Sequence, residues 1–212
     1  MKEFLFLLKN ITSGKSVIRS TLNFRLFQEN LQGKILDLGS GGSDRYSTLI
    51  PRTPDSVYEL FDAKKGNAID FETDALPYAD SAYDTVLLLN VLEHLFVSAT
   101  LLQEIVRIKK SDGVLIGYVP FLMWYHKDPH DYFRYTHEAL EKMLKSAGFT
   151  DIKIEKIYKG PYTAAFQMIH PTLPRIIRPL FFIPAYFVDF LFRKLRSEGA
   201  QRYVIGYYFI AK

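Results

Sequence analysis

The chain contains no cysteine. Disulfides and thiolate metal sites are therefore excluded, which suits a reducing compartment. It also lacks any uncharged apolar run of the roughly 18 residues that a spanning helix needs. The apolar stretch Phe4 to Leu8 is too short for the hydrophobic region of a secretory signal, so none is expected. Internal repeats and low-complexity tracts are absent as well. What is there is ordinary for a globular domain, with 48% hydrophobic and 24% charged residues over 212 positions. That length fits one domain, with room for an appended subdomain.

The net charge of +4 conceals an uneven distribution. Residues 1–34 carry six Lys/Arg against two acids, and 153–212 carry ten against three. The middle, 35–152, carries 11 against 18, so a net −7 lies between two basic ends. A basic periphery suits an anionic neighbour such as a membrane surface. The acidic middle disfavours nucleic acid.

Residues 1–30 read as one or two amphipathic helices interrupted at Gly14, with Phe4, Leu5, Leu8 and Ile11 on one face. Beyond them, strand and helix signals alternate, as in a parallel sheet with crossover helices. Strands are expected at 34–38, 56–61, 67–70, 84–89, 113–119, 150–157 and 202–211. The nearly continuous apolar run from Asp84 to Leu89 reads as a central strand covered on both faces. Helices are expected at 98–109, ending in Lys109-Lys110-Ser111-Asp112-Gly113, and at 137–147 between Thr136 as N-cap and Gly148 as terminator.

Residues 160–200 break this rhythm with five of the ten prolines and a dense run of aromatics. Pro184 is expected to open a last helix that is apolar almost all round and so either buried or set in an apolar medium.

The segment Lys34 to Gly42 organises the rest. The strand Ile35 to Leu38 runs into a turn with three glycines in four residues, Gly39, Gly41 and Gly42. Such a turn lets backbone N–H groups approach a polar ligand without an intervening Cβ. Asp62 follows 21 residues after Gly41 at the end of the next strand, where a carboxylate can accept both hydroxyls of a ribose. Asp70, Glu72 and Asp74 compete to accept an adenine amine. Position 44 is Asp, so the third glycine of a dinucleotide fingerprint is missing.

The order Asp37-Leu38-Gly39-Ser40-Gly41 instead resembles the first motif of class I S-adenosylmethionine-dependent methyltransferases. Leu76-Pro77-Tyr78-Ala79-Asp80-Ser81-Ala82-Tyr83-Asp84 is similar to that family's entry into its fourth strand, and Asn90-Val91-Leu92-Glu93-His94 to the exit. Glu104 to Gly113 resembles a further family segment, with Ser111 and Asp112 in place of the usual Pro and first Gly. The similarity, of the methyltransferase type 11 kind, covers about 34–158.

The resemblance implies a Rossmann-like doubly wound α/β fold with S-adenosyl-L-methionine as cofactor. Its mostly parallel seven-stranded sheet would carry an antiparallel last strand. Residues 1–33 would form an N-terminal helical segment and 34–212 the catalytic domain, with 160–200 as an aromatic helical insertion or lid. Asp37, Gly39, Ser40, Gly41 and Gly42 become the methionine-side turn, Asp62 the ribose acid, Asp70 or Glu72 the adenine-side acid, and Asn90 the lip beside the sulfonium.

The stretch His126 to Thr136 holds two histidines, two aspartates, an arginine and three aromatics in 11 residues. It resembles the acceptor-side segment of a subset of these enzymes. His130 and His126, with Asp131 as orienting partner, are the candidates for a general base, since imidazole titrates near neutral pH. His126, Tyr132 and Arg134 are the candidate substrate contacts. No metal site is expected. The implied activity is methyl transfer to a small-molecule, sugar or lipid-linked acceptor, in the cytoplasm with peripheral membrane contact through 160–200. The rival is a non-catalytic, membrane-associated protein that keeps the cofactor fold.

Overall fold

A computed structural model describes residues 1–41, 46–61 and 69–212. The chain divides into two compact units. One comprises Phe27–Val119, Tyr125–Glu155 and Tyr208–Lys212; the other comprises Met1–Leu26, Pro120–Trp124 and Lys156–Tyr207.

The strands of the sheet are β1 (Lys34–Leu38), β2 (Val57–Phe61), β3 (Tyr83–Leu89), β4 (Lys109–Pro120), β5 (Ile152–Tyr158) and β6 (Val204–Ala211). Their order is β2-β1-β3-β4-β6-β5. β2, β1, β3 and β4 run parallel, with Ile35 opposite Tyr58 on one side and Thr85 on the other. The C-terminal strands are antiparallel: Thr150 N–H donates to the Lys212 carbonyl, and Lys212 N–H to that of Asp151. Among the described residues the sheet thus has six strands rather than seven. Of the strand expected at 67–70, residues 69 and 70 are coil, and 67–68 lie outside the described residues.

β3 is buried along almost its whole length, in keeping with its apolar run. Asp84 ties three strand starts together. Its carboxylate accepts from the Lys34 N–H and from Lys110 Nζ, each at 2.8 Å.

Helix α3 (Ala99–Ile108) buries Leu101, Leu102, Ile105 and Ile108, the 3.6-residue stripe visible in the sequence. It ends one residue before the expected boundary. Lys109 to Gly113 is not a helical tail but the start of β4, where the pairing with β3 slips between Tyr83 and Thr85. From α3, Arg107 reaches the carbonyls of Leu76 and Tyr78 and the carboxylates of Asp80 and Glu104. One guanidinium therefore fixes the whole 76–80 segment.

Helix α4 (His137–Ala147) starts where Thr136 Oγ1 accepts from the Ala139 N–H. It stops at Gly148, whose φ of 109° lets the Gly148 and Phe149 N–H groups turn back onto the Lys145 and Leu144 carbonyls.

The second unit contains α1 (Lys2–Thr12), α2 (Val17–Leu26), α5 (Pro161–Ile169), α6 (Arg178–Leu195) and the short α7 (Ser197–Ala200). Phe4, Phe166 and Tyr186 surround the fully buried Phe182, with ring centroids 5.6–6.3 Å from it. Two polar side chains are buried with them for capping. Asp189 accepts from the Tyr162 and Thr163 N–H groups at the start of α5, and Arg178 donates to the Gly14 and Leu173 carbonyls.

Pro184 does not open the last helix. It lies inside α6, which begins at Arg178 with Pro179 in its first turn. Nor is α6 enclosed. Only Arg178, Phe182 and Asp189 are buried, while most of its other apolar side chains face outward.

Candidate functional site

The carboxyl ends of β1 and β3 open into a cavity of about 770 Å³. Its walls come from four places in the chain: Gly39 and Gly41 after β1, Ile69 to Glu72, Asn90 to Leu95 after β3, and the loop Asp128 to Tyr132. In open α/β sheets this is the edge where ligands bind.

The glycine turn suits close approach to a ligand. Gly39 and Gly41 have φ of 75° and 65°, values that side chains disfavour. A Cβ on Gly39 would lie 2.5 Å from Val91 Cγ2, so that glycine serves packing. Among the described residues, a Cβ on Gly41 would meet nothing within 4 Å. It would project into open space, and that is the room a ligand against the main chain needs.

Asp37 is buried and accepts from the Tyr58 hydroxyl at 2.8 Å. Burial and the neighbouring carboxylate hold the Tyr58 phenol well above its ordinary range. Asp37 and Ser40 are not among the cavity walls. Gly42 and Asp62 lie outside the described residues.

Two of the three competing acids line the cavity, Asp70 and Glu72, and Asp74 does not. Asp74 instead accepts from the Asp70 N–H, and Asp70 from the Glu72 N–H. Glu72 accepts from the Phe96 and Val97 N–H groups, which joins two walls.

Asn90 stands at the end of β3 with φ of 57°, a left-handed backbone uncommon outside glycine. Its N–H donates to the Tyr118 carbonyl, and its side chain faces the cavity.

The 126–136 stretch separates into two roles. His130 and Tyr132 line the cavity, whereas His126, Asp131 and Arg134 do not. Asp131 is 1% exposed; it binds Arg134 in a two-pronged ion pair and accepts from the His126 N–H at 2.8 Å. The guanidinium holds its carboxyl down at about 2. Asp131 therefore does not orient His130. Its nearest approach to an imidazole is 3.6 Å, to His126 Nδ1, beyond hydrogen-bond range. Arg134 is engaged within the loop rather than presented to a substrate.

Hydrogen bonds fasten the loop to the turn after β3. The Tyr132 and Phe133 N–H groups donate to the Glu93 carbonyl, and His94 Nδ1 donates to that of His130. Phe96 packs against Tyr132 and Phe133, with ring centroids 5.5 and 5.8 Å apart.

Sequence reasoning passed over Glu93. Its side chain is fully buried, and both carboxylate oxygens lack a hydrogen-bond partner among the described residues. Burial pushes its carboxyl up to about 8, Arg134 opposing and Asp131 adding to the shift. Ligand atoms of Glu93, His94 and His126 lie within 4.8 Å of one another, a donor set that divalent transition metals accept. The only sequence signal was an acid inside an otherwise apolar exit from β3.

Residues 36–117 match the family model described as a methyltransferase domain. No curated protein matches the chain significantly. Solved structures share its fold at low identity. Phosphoethanolamine N-methyltransferase 2 of Haemonchus contortus, in complex with S-adenosyl-L-methionine, is 14% identical with a TM-score of 0.53 over 90% of this chain. The chain spans only 52% of that enzyme. A SAM-dependent methyltransferase from Archaeoglobus fulgidus is 16% identical over 99% of both chains, with a TM-score of 0.52. The 4+2 cyclase SpnF is 14% identical over 100% of this chain and 94% of its own, with a TM-score of 0.55. Likeness at this level shows the fold, and the family match over the glycine turn, β3 and β4 adds the chemistry. Residues 36–117 thus carry a methyltransferase domain, consistent with a class I S-adenosylmethionine-dependent methyltransferase.

Proposed function

We propose that this enzyme methylates a small-molecule, sugar or lipid-linked acceptor held between the Gly39–Gly41 turn and the Asp128–Tyr132 loop. One observation carries the reading: the glycine turn, Asn90 and His130 share a single cavity. The open space in front of Gly41 supports the fit of the cofactor there.

When bound, S-adenosylmethionine supplies a methyl group on a sulfonium, activated toward in-line displacement. On this reading the Gly39-Ser40-Gly41 turn receives its methionine end, with the Gly39 N–H itself held by the Phe61 carbonyl and Asp37 bracing the turn from below. Asp70 and Glu72 accept from the adenine side, Asn90 borders the sulfonium, and the roles of Gly42 and Asp62 follow from the resemblance alone.

The protein's own work is positioning and the exclusion of water. Tyr132, with Phe96 and Phe133 behind it, supplies an apolar wall. A hydroxyl or ammonium acceptor must also lose a proton as the new bond forms, and His130 takes it as general base. His126 serves from behind through the Asp131–Arg134 pair, as a positioning residue.

Haemonchus phosphoethanolamine methyltransferase is named for a small phosphorylated amine, and an acceptor of similar size fits the space here. Lipid-linked acceptors belong to the same proposal, with peripheral contact between 160–200 and a bilayer.

The test is a methyl-transfer screen against grouped acceptors, read as appearance of S-adenosylhomocysteine. His130→Ala should keep cofactor affinity and lose turnover by about 10²–10⁴-fold. Loss of cofactor binding in that variant, or unchanged turnover, would remove the base assignment. Release of S-adenosylhomocysteine at the same rate with and without every acceptor would remove the transferase reading.

A further inference from the structure

Helix α6 carries two faces of opposite character. The buried residues Arg178, Phe182 and Asp189 fall on one stripe at helical spacing. The opposite arc presents Leu180, Ile183, Phe187, Val188, Leu191 and Leu195, all exposed, with Leu180 at 72%, Phe187 at 60% and Leu195 at 83%. These side chains run as one apolar stripe along the roughly 27 Å of this helix, the kind of exposed patch that marks an interaction surface.

The charges around the arc are mainly cationic, with Glu198 just past its end as the exception. Arg175 and Arg196 are exposed at its two ends, and Lys194 sits on it with Nζ 4.8 Å from the Phe190 ring centroid. The one acid between 172 and 197 is Asp189, which is buried and caps α5. An outward face of Leu, Ile and Phe with mainly cations at its margins matches a helix lying in the plane of an anionic lipid surface. A second copy fits less well. A two-fold pairing of this arc in antiparallel register would bring the Arg175 and Arg196 cations of the two chains together, with Glu198 the one exposed acid beside Arg196. Crossing the bilayer is not the mode, since no helix among the described residues is long and apolar enough.

We propose that the outward face of α6 is a membrane-docking surface that seats the protein on anionic lipid, with Leu180, Phe187 and Leu191 entering the headgroup–acyl boundary and Arg175, Lys194 and Arg196 meeting lipid phosphates. This deepens the peripheral-contact part of the function proposed above. It is tested without methyl transfer, so either reading can fail alone.

The experiment is co-sedimentation of the full chain with vesicles of phosphatidylcholine alone, and of phosphatidylcholine with phosphatidylglycerol. The expected result is binding to the anionic vesicles, weakened by salt, and at least tenfold weaker in Leu180→Glu/Phe187→Glu. Arg175→Gln/Arg196→Gln should keep the apolar face yet lose the preference for phosphatidylglycerol. Neither pair touches the buried stripe, so melting temperatures should stay at the wild-type value, and light scattering of the lipid-free protein should give a monomer. Absence of binding to either vesicle overturns the proposal. So does a lipid-free dimer that Leu180→Glu/Phe187→Glu converts to monomer, and so does undiminished binding in both variants.

Discussion

Gly39 and Gly41 share a backbone conformation but differ in what faces them, and substituting each in turn separates packing from ligand binding. Alanine at either position must adopt a positive φ, at a cost of about 1 kcal/mol. At Gly41 little is added to that, because among the described residues the methyl meets nothing within 4 Å. For a chain of this size the melting temperature should fall by about 2–4 °C. At Gly39 the methyl would also lie 2.5 Å from Val91 Cγ2, and Val91 is buried. Overpacking of that kind adds about 1–3 kcal/mol. Gly39→Ala should therefore melt several degrees below Gly41→Ala. Ligand affinity should divide the other way for the stability lost. The Gly41 methyl occupies the space a ligand needs, so S-adenosylhomocysteine should bind at least tenfold more weakly, about 1.4 kcal/mol. Thermal unfolding and calorimetric titration on the two variants supply both numbers. A Gly41→Ala protein that binds S-adenosylhomocysteine as wild type does, at unchanged stability, would show that the cofactor does not approach this turn.

Glu93 carries a pH dependence of definite sign. Its carboxyl is raised in the folded state, so its contribution to stability is complete below about 4.5 and is lost as pH rises through about 8. Glu93→Gln should gain melting temperature over wild type between pH 7 and 9 (roughly that window), and equal slopes for the two proteins would contradict the burial argument. Asp131→Asn should leave the buried side of the Arg134 ion pair uncompensated and cost about 1–3 kcal/mol, read as early melting; a variant that melts normally but turns over slowly would return Asp131 to the chemistry. Gly117→Ala would set a methyl 2.0 Å from the Phe209 ring, so chemical denaturation should show a loss of about 1–3 kcal/mol, and an unchanged midpoint would mean that the β4–β6 packing gives way readily.

The parallel part of the sheet was legible because each strand is short, apolar and bounded by turn residues; β1 and β3 needed no tertiary information. Helix α4 was legible for a local reason too, since Thr136 and Gly148 cap it from within the sequence. Two errors have a common cause. At Lys109 to Gly113 and at Pro184, local chemistry suggested a boundary that longer-range contacts override: pairing with β3 in one case, the Phe182 and Asp189 anchors of α6 in the other. In the site, spacing correctly brought Gly39, Asn90 and His130 to one edge. It could not separate His130, which faces the cavity, from Asp131, which faces Arg134, because adjacent residues in an irregular loop carry no periodicity to read. Glu93 was illegible for a related reason, as nothing in a one-dimensional pattern marks a carboxylate for burial.

The turn after β3 has a consequence for how such a protein changes its ligand preference. Glu93 and His94 hold the far loop by main-chain atoms: the Glu93 carbonyl receives two N–H groups, and the His130 carbonyl receives the His94 ring. The positions of residues 130 and 132 relative to Asn90 are thus set by backbone, independently of which side chains stand there. Exchanging those side chains can reshape one wall of the cavity while the line from Asn90 across it stays constant. New specificity is then reached by single substitutions, with no accompanying movement of the scaffold.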